Sequence, residues 1–180
     1  MVEWDYMAAL VVILIRFLIP FSILRWPFWG ALLVILGDIS DVVLMDAFGW
    51  GWFEGRDYHS YDKFFDTYYL GFEVYMALKW QEVLARRTAV ILFTWRLVGV
   101  IIFEIFKIRQ LILFAPNIFE NFYLLVVGLK KFFKFPINNF KRLIISLLIA
   151  GIPKIAQEYI MHYLEFPTWQ FFKKNLFRWE

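Results

Sequence analysis

The chain has 180 residues, of which 62% are hydrophobic and 22% aromatic, and its mean hydropathy is +0.60. Soluble domains are usually about 45 to 50% apolar, so this composition predicts an integral membrane protein. The net charge of +3 comes from scattered Lys and Arg, which favours contact with lipid head groups over nucleic-acid binding. Because cysteine is absent, disulfides, thiolate metal ligands and cysteine nucleophiles are excluded.

Apolar stretches recur along the chain and are separated by short polar junctions. A membrane span needs about 20 mostly apolar residues, so the pattern predicts an all-α, polytopic membrane bundle of about six transmembrane helices. We expect one transmembrane domain that covers residues 1–180, because no internal repeat or low-complexity tract is visible. The predicted spans are residues 6–24, 28–45, 61–80, 88–106, 110–129 and 143–163.

The segments that flank these spans also contain sequence features that predict their structure or location. The N-terminus lacks the basic leader and cleavage site of a signal peptide, so we expect it to be retained as a membrane segment. Pro27 suits the first turn of the second helix, and the glycines of residues 49–55 break the helical pattern after it. The basic, aromatic linker 130–142 is expected at the membrane interface, and the tail 167–180 as an amphipathic surface segment.

The location predicted by this pattern is a bacterial-type inner membrane or an equivalent one, crossed several times. Lys and Arg are nearly balanced between the loops of the two sides. Since orientation follows the excess of Lys and Arg on one side, the orientation stays open.

An acidic stretch between the second and third spans is the strongest candidate site. Asp38 and Asp41 are three residues apart near the end of the second helix, and Asp62 and Asp66 are four apart at the start of the third. Each pair shares a helix face, and a short loop would bring the two pairs together. Four carboxylates at one place need cations, and hard oxygen ligands favour Mg²⁺, Mn²⁺ or Ca²⁺. The alternative is that they are solvated acids at helix ends, where Asp is a common cap.

Other polar residues lie inside the predicted spans, where charged groups usually face the bundle interior and pair. Arg96 and Glu104 are two turns apart and are expected to point in similar directions, with Glu73 as a partner for Arg96. Such residues either hold the bundle together through hydrogen bonds and ion pairs or line a polar cavity that leads from the acidic site. The candidates are Arg16, Glu73, Arg96, Glu104, Asn117, Glu120, Lys154, Glu158 and His162.

His162 follows Lys154 and Glu158 at four-residue steps, which makes a polar stripe on the sixth helix. An imidazole in a membrane helix can ligate haem or chlorophyll. The other histidine, His59, lies in a loop and gives no bis-histidine spacing within a helix pair. We therefore expect His162 to be buried and bonded to Glu158, with cofactor ligation as the alternative.

The two acidic pairs resemble a known signature. A DxxD pair closes the second of six helices, a short loop follows, and a DxxxD pair opens the third helix. Arg16 followed by Pro20 in the first helix, and the compact size of the chain, fit the same pattern. Together these features resemble the CDP-alcohol phosphotransferase family.

The resemblance implies particular roles for the four aspartates. Asp38, Asp41 and Asp62 would hold Mg²⁺ or Mn²⁺ ions that bind the diphosphate of a CDP-linked lipid. Asp66 would act as the catalytic base on the acceptor hydroxyl. Metals neutralise a diphosphate while a carboxylate removes the attacking proton, so this division of roles is chemically consistent.

The chain differs from the family signature at several positions. Val42 stands in place of the glycine after the second aspartate, and Met45 and Asp46 stand in place of Ala-Arg. Small residues there would let a nucleotide approach the backbone closely. A second alignment makes Asp66 the third aspartate and puts Leu70 at the position of the base.

Three functional hypotheses follow. The first is a metal-dependent transferase of phospholipid head groups, with membrane lipids and a CDP-linked lipid as ligands. The second is a non-catalytic membrane subunit with a scaffold or assembly role, as a homo-oligomer or beside other membrane subunits. The third is a carrier of small solutes or ions, although the sequence shows no inverted repeat.

Overall fold

The computed structural model describes residues 2–48, 58–164 and 174, and within them the chain is helical with no strand. The predicted all-α class is therefore confirmed. Pro27 is the first residue of a helix, as expected, since its fixed φ and missing N–H suit a first turn. The helices are α1 Val2–Leu18, α2 Phe21–Arg25, α3 Pro27–Phe48, α4 Tyr58–Ala77, α5 Val83–Phe106, α6 Ile118–Phe133 and α7 Phe140–Glu158.

Two of the predicted continuous spans are divided. The first breaks near Pro20, where α1 ends and the five-residue α2 begins. The fifth becomes a 3₁₀ helix, Arg109–Phe114, followed by α6, because Pro116 lacks an N–H and keeps the preceding residue out of the α conformation. A π-helical turn, Tyr159–Tyr163, extends α7. The predicted glycine break at 49–55 and the surface tail at 167–180 lie outside the described residues, apart from residue 174.

Helix α6 lies at the centre of the bundle and packs against α3, α4, α5 and α7. Its Phe119, Phe122, Tyr123 and Val126 are completely buried. Helix α1 packs against α3, while α2 contacts both α3 and α4. These contacts bring α1, α3 and α4 together on one side of α6.

Two helical segments are long and apolar enough to cross a membrane, Val83–Phe106 and Phe140–Met161. Only 28% of the apolar window of each is buried within the structure. The predicted arrangement of about six spans is not confirmed by this measure. Helices α1 and α6 have only 17 and 16 residues, and α4 carries Asp62, Lys63, Asp66 and Glu73, which lower its hydropathy.

Candidate functional site: an aspartate cluster around Arg16

The structure brings the four predicted aspartates together around one guanidinium group. Helix α3 supplies Asp38 and Asp41, helix α4 supplies Asp62 and Asp66, and we call these four residues the aspartate cluster. Arg16 Nη1 lies 3.0 Å from Asp41 Oδ2 and 3.2 Å from Asp62 Oδ1. Its Nη2 lies 3.3 Å from Asp66 Oδ1 and also contacts Asp38 Oδ1. One cation therefore bridges all four carboxylates.

Local sequence explains this convergence. The spacings of three residues on α3 and four on α4 keep both aspartates of each helix on one face, and these two helices are in contact. Arg16 lies in the last turn of α1, which packs against α3. A cation is favourable at that end because the helix dipole leaves negative partial charge there. Arg16 was expected in the polar network, and the structure places it within the aspartate cluster itself.

Lys63 is a second cation in the cluster that sequence reasoning did not select. Its Nζ lies 2.8 Å from Asp62 Oδ2 and 2.9 Å from Asp66 Oδ2, and the side chain is buried. A lysine one residue after one aspartate and three before the next can reach both along the helix. This spacing is the sequence feature from which the contact of Lys63 with both aspartates could have been predicted.

The donor set of the cluster fits a divalent cation. One carboxylate oxygen each from Asp38, Asp62 and Asp66 lies within 4.8 Å of the other two. Asp41 is almost completely buried, and its ion pair with Arg16 does not have hydrogen-bond geometry. Neither of its oxygens therefore has a hydrogen-bond partner among the described residues. Four ionised carboxylates with Arg16 and Lys63 would leave two net negative charges. Several carboxylate oxygens with surplus negative charge are the ligand type that Mg²⁺ and Mn²⁺ prefer.

A second polar group lies deeper in the bundle, with Glu120 of α6 at its centre. The Tyr69 hydroxyl donates to Glu120 Oε1 at 2.9 Å. Asn117 Nδ2 and Lys154 Nζ donate to Glu120 Oε2 at 2.9 and 3.0 Å. Tyr69 lies three residues after Asp66 on the same face of α4, so this interior network begins one helical turn from the aspartate cluster.

The same network continues to Arg96 and Glu158. Arg96 Nη1 lies 3.7 Å from Glu158 Oε1 and donates to the carbonyl oxygen of Ala115 at 2.9 Å. The backbone N–H of Asn117 also donates to Glu158 Oε1, at 3.1 Å. The expected pairing of Arg96 with Glu73 is not formed, because Arg96 points toward Ala115 and the end of α7.

No family model, curated protein or solved structure matches this chain. The resemblance to CDP-alcohol phosphotransferases therefore stays a prediction, and the site has to be interpreted from its own geometry.

Glu104, another of the predicted residues, stands apart from the network. Glu104 pairs with Lys107 at 2.6 Å at the exposed end of α5, so its expected place beside Arg96 in the interior is wrong. Eight residues correspond to about 80° beyond two full turns, which rotates Glu104 away from Arg96. The expected hydrogen bond of His162 to Glu158, and its alternative role as a cofactor ligand, concern a side chain outside the described part of the structure.

Proposed function

We propose that this chain is a multi-pass integral membrane protein. The distribution of polarity supports the proposal, because large apolar side chains cover the outside while charged side chains lie in the interior. Ile105, Phe114 and Phe133 are 68 to 75% exposed, whereas Arg96 and Glu73 are 2% and 0% exposed. Soluble proteins rarely expose large apolar patches, whereas lipid covers such a surface favourably and leaves charged side chains to face the bundle interior.

The six long helices form the membrane-spanning bundle in this proposal. Helices α5 and α7 are apolar enough to span on their own. Among the described side chains, Arg16 of α1, Asp41 of α3, Asp66 of α4 and Glu120 of α6 lie in the interior and are paired there. A charged residue that faces the bundle interior is the arrangement by which membrane helices tolerate ionisable groups.

Within this bundle, the aspartate cluster is proposed to bind a divalent cation and the diphosphate of a CDP-linked lipid, for transfer of a phospholipid head group. The observation that carries the proposal is the convergence of three carboxylate oxygens within 4.8 Å beside the buried Asp41. Asp38 and Asp62 of this group, together with Asp41, would hold the cation, as the family resemblance implies, and Asp66 is left for proton transfer. When bound, a divalent cation would neutralise the diphosphate and polarise its phosphorus–oxygen bonds.

Asp66 would accept the proton of the acceptor hydroxyl as the hydroxyl oxygen bonds to the lipid-bearing phosphorus and the bond to the leaving group, CMP, breaks. Both of its oxygens are engaged, Oδ1 with Arg16 at 3.3 Å and Oδ2 with Lys63 at 2.9 Å. Proton transfer requires hydrogen-bond contact with the hydroxyl. Asp66 would therefore exchange one of these two cations for the acceptor, and the released cation would be free to contact the phosphate.

Thermal stability of the purified protein in detergent tests this function. CDP and a CDP-linked diacylglycerol are each added with and without Mg²⁺ or Mn²⁺, since a ligand that binds only the folded state raises its stability. We expect metal-dependent stabilisation in the wild type, its loss in Asp41→Asn, and its retention in Glu104→Gln, a carboxylate remote from the cluster. Absence of any shift in the folded wild type would contradict the proposal.

A non-catalytic membrane subunit is the second candidate, and one observation favours it. Arg16 and Lys63 supply the cluster with cations from the chain itself, so the four carboxylates tie α1, α3 and α4 together without a ligand. In this case Asp41→Asn would change the oligomeric state or the set of co-purifying membrane subunits. Nucleotide binding would be absent from wild type and variant alike.

A further inference from the structure

Glu73 is a completely buried carboxyl group that the aspartate cluster does not use. It lies on α4 four residues after Tyr69, with 0% of its surface exposed. Neither of its oxygens receives a hydrogen bond from any described residue. An ionised carboxylate in such surroundings carries a large desolvation penalty, and no hydrogen bond from the described residues offsets it.

The polar groups that interact electrostatically with Glu73 either bond to other residues or have no hydrogen-bond partner themselves. They are Tyr69 of the same helix, Glu120 and Tyr123 of α6, and Lys154 of α7. The Tyr69 hydroxyl and the Lys154 ammonium both donate to Glu120. The Tyr123 hydroxyl is buried and has no hydrogen-bond partner among the described residues. Glu73 and Tyr123 thus both have unused hydrogen-bonding capacity within the described structure.

The charges of the interior network balance without Glu73. Lys154 is matched by Glu120, and Arg96 is matched by Glu158. Glu73 is therefore the surplus carboxyl of the interior. A metal cation is disfavoured there, because the charge of Lys154 acts on the same carboxyl and would repel it, and because a metal needs several ligands. A proton removes the surplus charge and needs no further ligand.

We propose that Glu73 is a proton-binding site in the centre of the bundle, held as the neutral carboxylic acid. In this form the group carries no charge, so the large desolvation penalty of an ionised carboxylate in the apolar interior is avoided. The site is independent of the proposed transferase function, since it shares no residue with the aspartate cluster.

A neutral acid in an apolar interior is the target of dicyclohexylcarbodiimide. The acid proton transfers to a carbodiimide nitrogen, the carboxylate oxygen adds to the central carbon, and the O-acylisourea rearranges to a stable N-acylurea without a leaving group. We expect the detergent-purified wild type to carry this adduct on Glu73, located by proteolysis and mass spectrometry. Glu82, at the junction of α4 and α5, is the matched carboxyl that should stay unlabelled.

Infrared spectroscopy provides a second readout that does not depend on reagent access. The difference between wild type and Glu73→Gln should contain the carbonyl stretch of one protonated carboxylic acid, and the difference for Glu82→Gln should not. An unlabelled Glu73 together with a missing band would overturn the proposal. Suppression of labelling by Na⁺ at constant ionic strength, with K⁺ as control, would assign the site to a metal cation instead. Because labelling is mapped in the wild type, the test stands even if the variant does not fold.

Discussion

Arg16 of α1 and Asp41 of α3 form an ion pair in which Nη1 lies 3.0 Å from Oδ2, and only 4% and 1% of the two side chains are exposed. The same guanidinium contacts the other three carboxylates of the aspartate cluster. Removing one partner of a buried ion pair leaves an uncompensated charge, which costs more than the pair contributes. Arg16 is therefore expected to contribute strongly to the stability of the contacts between α1, α3 and α4.

Replacement of Arg16 by Gln tests this expectation. The variant leaves four carboxylates with Lys63 as the one cation beside them in the described structure, and we expect its free energy of unfolding to fall by about 3 to 5 kcal/mol. The measurement is denaturant unfolding in detergent micelles. Arg25→Gln is the control, because Arg25 is exposed, and such surface changes usually stay within about 0.5 kcal/mol. Equal stability of Arg16→Gln and wild type would show that the guanidinium does not hold the cluster.

Gly99 of α5 allows the close approach of the segment before Pro116. A Cβ added to Gly99 would overlap the Cβ of Ala115, whereas a Cβ on Gly71 would meet no atom within 4 Å. We expect Gly99→Ala to destabilise the protein by about 1 to 3 kcal/mol through overpacking. Gly71→Ala should be neutral or stabilising by up to about 1 kcal/mol, since Ala favours a helix. Thermal unfolding distinguishes the two variants.

The same contact offers a rescue. Ala115→Gly removes the methyl group that the new Cβ would meet, so the double variant should recover much of the stability lost by Gly99→Ala. If the two changes simply add, their side chains do not meet in the folded protein.

The hydrogen bond from Tyr69 to Glu120 is predicted to stabilise the interior network. Tyr69→Phe removes the hydroxyl alone, and bonds to charged acceptors are worth about 1.5 to 3 kcal/mol. We expect unfolding in detergent to show a loss of that size. Tyr75→Phe is the matched control, because Tyr75 lies on the same helix and is 52% exposed. A loss equal in both variants would indicate that the buried bond contributes nothing specific.

Glu82, in the connection between α4 and α5, and Lys130, near the end of α6, form an ion pair whose strength depends on pH. Burial raises the pKa of Glu82, but the hydrogen bond and charge of Lys130 outweigh it and hold that pKa below its ordinary value of 4.5. A lowered pKa in the folded state means stability that is present above pH 4.5 and is lost as the pH falls through the folded-state pKa. The contribution should be about 0.5 to 1 kcal/mol, as for other ion pairs near a surface.

Unfolding temperatures of wild type and Glu82→Gln, measured between pH 7 and pH 3, check this prediction. The difference between the two proteins should be constant near neutral pH and shrink below pH 4.5. Lys130→Met should show the same loss. A gap that widens as the pH falls would have the wrong sign for this ion pair.

The convergence of the four aspartates could be predicted because it depends on local spacing. Residues three or four apart share a helix face whatever the tertiary fold, and consecutive helices with a short connection are usually neighbours. The placement of Glu158 beside Arg96 could not be predicted this way. It depends on how α5 and α7 are rotated about their axes, which the local spacing of residues does not determine.

The helix boundaries show the same division. The break before α6 has a local cause, Pro116, which marks the end of a helical segment in the sequence itself. The sequence nevertheless predicted one continuous span over residues 110–129, because the residues around Pro116 are apolar enough to continue it. Lys63 was overlooked because it interrupts an acidic pattern, although its positions relative to Asp62 and Asp66 place it within reach of both.

The crowding of charge on α4 has a consequence for biogenesis. Within 20 residues this helix carries Asp62, Lys63, Asp66 and Glu73, and each charge at the centre of a lone membrane helix costs about 2.5 to 3.5 kcal/mol on insertion. In the proposed membrane bundle, helix α4 would therefore not leave the translocon alone. Arg16 is synthesised earlier, so α1 and α3 would stay at the exit site until Arg16 pairs with the carboxylates of α4.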